Sequence, residues 1–310
     1  MKITWPQGHQ FAFTIFDDTD WATLANVKPI YDLLATLGMR TTKSAWVFAN
    51  GDHALNAGMS CEDPEYLAWL WAIQQQGFEI GLHNVAPGTS VRERICQGLN
   101  RFQSLFQYEN IIHANHVGCL DNLYWGQYRI SGWRCLLYNT LTLGQRKHIS
   151  QGHKQTSNYF WGDLCQQRVR YVRNFVFNEL NVLNICPQMP YHDPQRPFVN
   201  FWFASTEACN VASFLKNFTY AKIDQLVAQQ GACIAYVHFA DDFVQNGEVH
   251  PEVRKRLEYM AAQNGWFAPV STVLDFLRKG QTREERIITP EQRSRLELRW
   301  LSNKILHGTS

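Results

Sequence analysis

The 310-residue chain reads as an α/β protein closed into a (β/α) barrel, and three observations predict it. Short apolar runs, several of them introduced by glycine, alternate with apolar residues at helical spacing along most of the chain. No glycine-rich phosphate loop marks a dinucleotide crevice, which argues against an open doubly wound sheet. Ionisable residues gather directly after the apolar runs, where a barrel of parallel strands presents its chemistry.

The elements follow in order. Residues 11–16, Phe-Ala-Phe-Thr-Ile-Phe, form the first strand, and Val27, Ile30, Leu33, Leu34 and Leu37 then recur at helical spacing until Gly38 stops the helix. Residues 44–49 read as the second strand. Asp63 and Pro64 supply an N-cap and a first-turn proline for a helix carrying Leu67, Leu70 and Ile73, ended by Gly77. Residues 78–82 are the third strand. Ser90 and Glu93 read as a capping box for a helix bearing Ile95, Leu99 and Phe102, which leads to a fourth strand at 111–114.

From 117 to 200 the pattern weakens to a helix around 127–141, a polar stretch at 148–158 and strand-like pieces at 171–177 and 181–185. Regularity returns with a strand at 198–203, a helix over 211–229, a strand at 232–237, a helix at 251–263, a strand at 266–270 and a closing helix capped by Ser271. From Thr289 an amphipathic helix carries Leu298, Leu301 and Ile305 on one stripe, which can pack on the barrel or on a partner such as a second copy. The expected division is therefore a barrel over 1–280 and a helical extension over 281–310.

Composition excludes some classes. Net charge is +2 with 18% charged residues, so there is no basic field for nucleic acid. Eight scattered cysteines include no C-x-x-C pair, which excludes a zinc ribbon and predicts free thiols. No signal-peptide-like apolar region follows Met1 and no apolar stretch reaches membrane-spanning length, so the expected location is cytoplasmic. Aromatics at 14%, with 11 Trp, supply a wide core and leave some over for a carbohydrate groove.

The first strand ends in Asp17 and Asp18. Adjacent residues on an extended chain point to opposite sides, so one carboxylate can bind a cation while the other handles protons. The same run, Asp17-Asp18-Thr19-Asp20, also suits a turn or a helix cap. His83 follows the third strand, His113 and His116 the fourth, and His238 the strand at 232–237. One Asp with two neutral imidazoles is a reasonable zinc ligand set that leaves positions open for water and substrate.

These residues carry a family resemblance. Thr14-Ile-Phe-Asp-Asp18, Glu79-Ile-Gly-Leu-His83 and Ala235-Tyr-Val-His238 resemble the first, second and last motifs of the polysaccharide deacetylases, carbohydrate esterase family four. The resemblance implies a distorted (β/α) barrel, a divalent metal and hydrolysis of N- or O-acetyl groups on sugars. It makes Asp17 the base, Asp18 and His83 metal ligands, and His238 the acid. Zinc is the expected ion, with cobalt, nickel or manganese as alternatives.

The chain departs from the family pattern in two places. Proline at position 87 replaces the second histidine of the second motif, and His116 is the candidate replacement ligand, since His113 faces the other way by strand alternation. The Arg-Pro-Pro-aromatic third motif is missing from 119–126. Asn115, Trp125, Asp163, His192 and Arg196 are candidate substrate contacts, Asp163 also as an orienter of a catalytic His. Three functions follow: a metal-dependent deacylase acting on a small or lipid-linked carbohydrate, a metal-free amide or imide hydrolase of the same superfamily, and a glycan-binding barrel without turnover.

Overall fold

The computed structural model describes residues 3–144 and 150–308; residues 148 and 149 of the expected polar stretch and the last two residues of the tail lie outside them. The chain runs β1 (Phe11–Asp17), α1 (Leu24–Thr36), β2 (Thr42–Ala45), α2 (Pro64–Gln75), β3 (Glu79–Leu82), α3 (Arg92–Phe106), β4 (Ile111–His113), α4 (Trp133–Leu141) and α5 (Gly162–Arg168). It continues with β5 (Val169–Phe177), β6 (Phe201–Glu207), α6 (Val211–Asn217), α7 (Tyr220–Ala228), β7 (Ala232–Val237), the small hairpin β8 (Val244–Gln245) and β9 (Glu248–Val249), α8 (Pro251–Ala261), β10 (Gly265–Phe267), α9 (Val270–Arg278) and α10 (Pro290–His307).

Strands β1 to β7 pair side by side, all parallel, and β7 returns to β1, so the sheet closes into a seven-stranded barrel. β10 pairs with Phe11–Phe13 at the start of β1, on the edge that β2 takes at Phe16 and Asp17. Every residue of β1 and β7 is buried, as expected of parallel strands covered on both faces. Phe16, on the barrel interior, needs the space that Gly81 leaves: a Cβ there would sit 3.2 Å from the Phe16 ring.

The (β/α) alternation holds, and several local expectations shift. The second strand lies at 42–45, not 44–49, because its pairing with β3 ends at Ala45, after which Trp46 is buried against the imidazoles of His83 and His116. The sixth strand runs three residues later than expected, residues 181–185 hold a 3-10 turn capped by the Asn181 side chain, and the helix over 211–229 breaks at Phe218 and Thr219, where Thr219 caps α7. Asp63 stands at the N-cap of α2 with Pro64 in the first turn, as expected, though its carboxylate accepts from the Ser60 backbone N–H and not from the helix; Val91, not Ser90, stands at the N-cap of α3.

The tail helix does dock on the barrel, rotated from the expected stripe. Leu296, Trp300 and Leu301 are buried, with Trp300 against Phe175 of β5 and Tyr138 of α4, while Leu298 and Ile305 are exposed. The inward face also carries Glu297, fully buried between Arg134 (2.6 Å) and Arg196 (3.5 Å), a charge that amphipathic spacing would place outside. All eight cysteines are free. Among the described residues no helix is long and apolar enough to cross a membrane.

Candidate active site

At the C-terminal ends of the strands a cleft of about 290 Å³ is lined by Asp18, Asp20, His83, Asn115, Trp125, Arg173 and His238, with Trp21, Val117 and Tyr236 among its walls. Strand alternation decides which of the two adjacent acids reaches it. Asp18 faces the barrel interior and the cleft; Asp17 faces the other way, toward α1.

Asp17 is fully buried outside the barrel wall, 3.0 Å from Lys43 Nζ; it accepts bonds from the Tyr31 hydroxyl (3.1 Å) and from the backbone N–H of Phe239 (2.9 Å). Burial alone would lower the Lys43 ammonium, but Asp17 holds it above its ordinary value. The expected base therefore does not line the cleft. It ties β1 to the residue directly after His238.

Asp18, expected as a metal ligand, has both oxygens engaged by Arg173 of β5, at 2.7 and 2.5 Å. Burial alone would raise its carboxyl, but Arg173 and then His83 carry it below the usual carboxylate range. The Arg173 guanidinium also lies 4.2 Å from the centre of the Tyr236 ring. The carboxylate nearest the imidazoles is Asp20, two residues further on and so on the same side of the chain as Asp18. Its Oδ2 is 3.0 Å from His83 Nε2 and 3.5 Å from His238 Nε2, and its Oδ1 is 3.4 Å from His116 Nδ1 and accepts from Asn56 Nδ2 at 2.9 Å.

The two imidazoles are fixed from behind. His83 Nδ1 donates to the Ala114 carbonyl at 3.1 Å, and His116 Nε2 donates to the Leu55 carbonyl at 3.1 Å. With those protons placed, neutral rings leave bare lone pairs on His83 Nε2 and His116 Nδ1, and these nitrogens face each other at 3.1 Å. Asp20 Oδ2 points at the same spot, buried and without a hydrogen-bond donor. Three acceptors converging with no proton between them repel unless a cation is shared, and backbone acceptors behind each imidazole are the usual support of a metal-binding histidine. The donor set thus fits a divalent ion held by Asp20, His83 and His116, whose ligand atoms lie within 4.8 Å of one another. Burial lowers His83, whereas His116, which burial alone would also lower, is raised by Asp20.

Pro87 stands behind this group instead of in it. Its carbonyl accepts from Leu55 N–H (3.1 Å), and Leu55 in turn orients His116. Asn84 accepts from the His116 N–H (3.1 Å) and bonds Asp121 and Asn122 (3.0 Å each), tying the loop after β3 to the loop after β4. His113 is buried against Trp161, away from the cleft.

His238 is 13% exposed. Its Nδ1 lies 3.3 Å from the Cys209 carbonyl, so Nε2 faces Asp20, with the Tyr236 hydroxyl 3.3 Å away. Asn115 lines the cleft, but its amide is spent on the Leu123 backbone, at 2.8 and 3.0 Å. Trp125 lines it with the Arg129 guanidinium 3.2 Å from its ring centre.

Three candidate contacts lie elsewhere. Asp163 accepts two hydrogen bonds from Arg92 in a half-exposed ion pair, His192 donates into the 199–200 backbone, and Arg196 joins a buried network with Asp193 and Glu297 of the C-terminal helix. None of them lines the cleft.

Sequence reasoning missed Asp20, Arg173 and Trp46. Asp20 stood in the acidic run; the signal was its two-residue spacing from Asp18. Arg173 was an arginine inside the apolar run 169–177, which a buried strand tolerates only opposite a buried acid.

No family model and no curated protein matches the sequence. Among solved structures, a crystal structure of a "putative polysaccharide deacetylase" from Mycobacterium smegmatis matches with a TM-score of 0.51 and 12% sequence identity, over 93% of this chain and 95% of that one. The protein therefore has the (β/α) barrel fold of the polysaccharide deacetylase type; at that identity the likeness is one of fold.

Proposed function

We propose that this protein is a metal-dependent hydrolase that removes an acyl group, N-acetyl in the first instance, from a small or lipid-linked carbohydrate. The observation that carries the reading is the convergence of His83 Nε2, His116 Nδ1 and the donorless Asp20 Oδ2 on one point. The ligand set is Asp20, His83 and His116, with zinc the first choice for two imidazoles and a carboxylate. When bound, the cation supplies Lewis acidity to a water and to the substrate carbonyl.

The remaining groups divide the proton work. Asp18, kept ionised and held in one orientation by Arg173, is the carboxylate that takes a proton from the attacking water. His238, with Nδ1 fixed by the Cys209 carbonyl, presents Nε2 toward the cleft and hands a proton to the departing nitrogen or oxygen. Asp17 positions the backbone that carries His238. The structural likeness to a deacetylase-type barrel supports the reaction class, and the cleft volume suits one or two sugar rings.

Chelator-stripped protein is titrated with Zn²⁺ by calorimetry and assayed on 4-nitrophenyl acetate and on N-acetylglucosamine oligomers. Zinc should bind stoichiometrically and restore hydrolysis, and Asp20→Asn should weaken zinc by about 100-fold or more. Full turnover by stripped protein would favour the metal-free amide or imide hydrolase. Glycan binding without turnover in the zinc form would leave the non-catalytic barrel.

A further inference from the structure

Five tryptophans, Trp5, Trp46, Trp161, Trp202 and Trp300, are fully buried core residues. Trp21 differs: it is 43% exposed, lines the cleft, and meets the His238 ring edge-on with centroids 5.8 Å apart. Its backbone lies in the left-handed region at φ +53°, which a bulky residue adopts only when its surroundings impose it.

The surroundings do impose it. Trp21 N–H donates to the Asn56 carbonyl at 2.7 Å, its own carbonyl accepts from Asn26 Nδ2 at 3.0 Å, and Gly58 passes so close that a Cβ there would meet Ala22 N at 2.5 Å. Asn56 is also the residue that bonds Asp20. The same clamp that sets the carboxylate of the candidate metal site thus sets the indole, and leaves a large apolar face in solvent at the cleft mouth. A loop that only needed to turn would place glycine or asparagine there.

We propose that Trp21 is the platform on which a pyranose ring stacks. An indole face matches the C–H face of a pyranose. The proposal rests on the cleft being a carbohydrate site, and does not depend on turnover.

The test measures binding by calorimetry on the zinc-loaded full chain, with chitotetraose bearing four N-acetyl groups as the neutral probe. Trp21→Ala and Trp21→Leu should each lose about tenfold or more for the neutral probe, while Trp21→Phe stays within about threefold of wild type. Zinc affinity in each variant reports that the 18–21 loop is intact, and the leucine variant, with its bulk but no ring, decides the matter should alanine unfold the loop. Unchanged binding in the leucine variant, or no binding of chitotetraose by wild type, overturns the proposal. Sugar binding without hydrolysis would instead leave it standing and remove the hydrolase reading.

Discussion

Replacing Arg173 with methionine isolates the interaction on which the acid-base reading rests. Arg173 and Asp18 are almost completely buried and joined by two bonds of 2.7 and 2.5 Å, so the variant leaves a carboxylate in the barrel without its counter-charge. With charge centres about 4 Å apart and an effective dielectric constant of about 20, the lost attraction is about 4 kcal/mol. That agrees with the roughly 3–5 kcal/mol seen when one partner of a buried pair is removed.

With a urea m-value of about 3 kcal/mol/M, the unfolding midpoint of metal-free Arg173→Met protein should fall by more than about 1 M at pH 7. Asp18→Asn in the same chain should recover much of the loss, because the orphaned charge is gone; a coupling energy of about 2–3 kcal/mol in the double-mutant cycle is expected. Arg173→Met should also slow hydrolysis by the zinc form, since Asp18 then lacks the group that orients it. A stability change under about 1 kcal/mol, or additive single and double variants, would refute the pair as the organiser of Asp18.

Two further outcomes follow from buried groups. Asp17→Asn strands Lys43, which is fully buried, and should destabilise by about 3–5 kcal/mol in denaturant melts while zinc affinity measured by calorimetry stays near wild type; a large loss of zinc affinity in a folded variant would tie Asp17 to the metal site against this reading. His113 is pushed down to about 3 by burial, so between that value and about 6.5 the unfolded chain binds a proton that the folded one does not, and stability must fall as pH drops through this window. From pH 6.5 to 5 this one residue should contribute about 1.5–2 kcal/mol of loss, and His113→Leu should flatten the urea-midpoint profile by that amount; an unchanged slope would show His113 to be protonated in place.

The parallel strands β1, β3, β4 and β7 were legible because each is a short, mostly apolar run between punctuating residues. Where polar atoms do structural work the reading failed. Asn181 caps a turn inside what looked like a strand, and Glu297 faces inward only because Arg134 and Arg196 meet it, a pairing across more than a hundred residues that periodicity does not contain. In the site, His83, His116 and His238 could be singled out from strand ends alone. Which carboxylate stands nearest to them could not, because a family frame fixed attention on Asp17 and Asp18, whereas the chain just after β1 brings Asp20 closest to His83 and His116.

The two acids that end β1 carry one more consequence. Asp17 meets a lysine outside the wall and Asp18 an arginine within it, so sliding the strand by one residue against its neighbours would put one acid in the other's place and leave the remaining cation, Arg173 or Lys43, facing Thr19 or Phe16. Apolar strands in a closed barrel tolerate slippage better than most, since every side chain is buried whichever way it points. Here two acids on consecutive positions, each with its own cation on a different side of the wall, act as a key that favours a single threading, and they sit at the very rim where misalignment would scatter the residues lining the cleft.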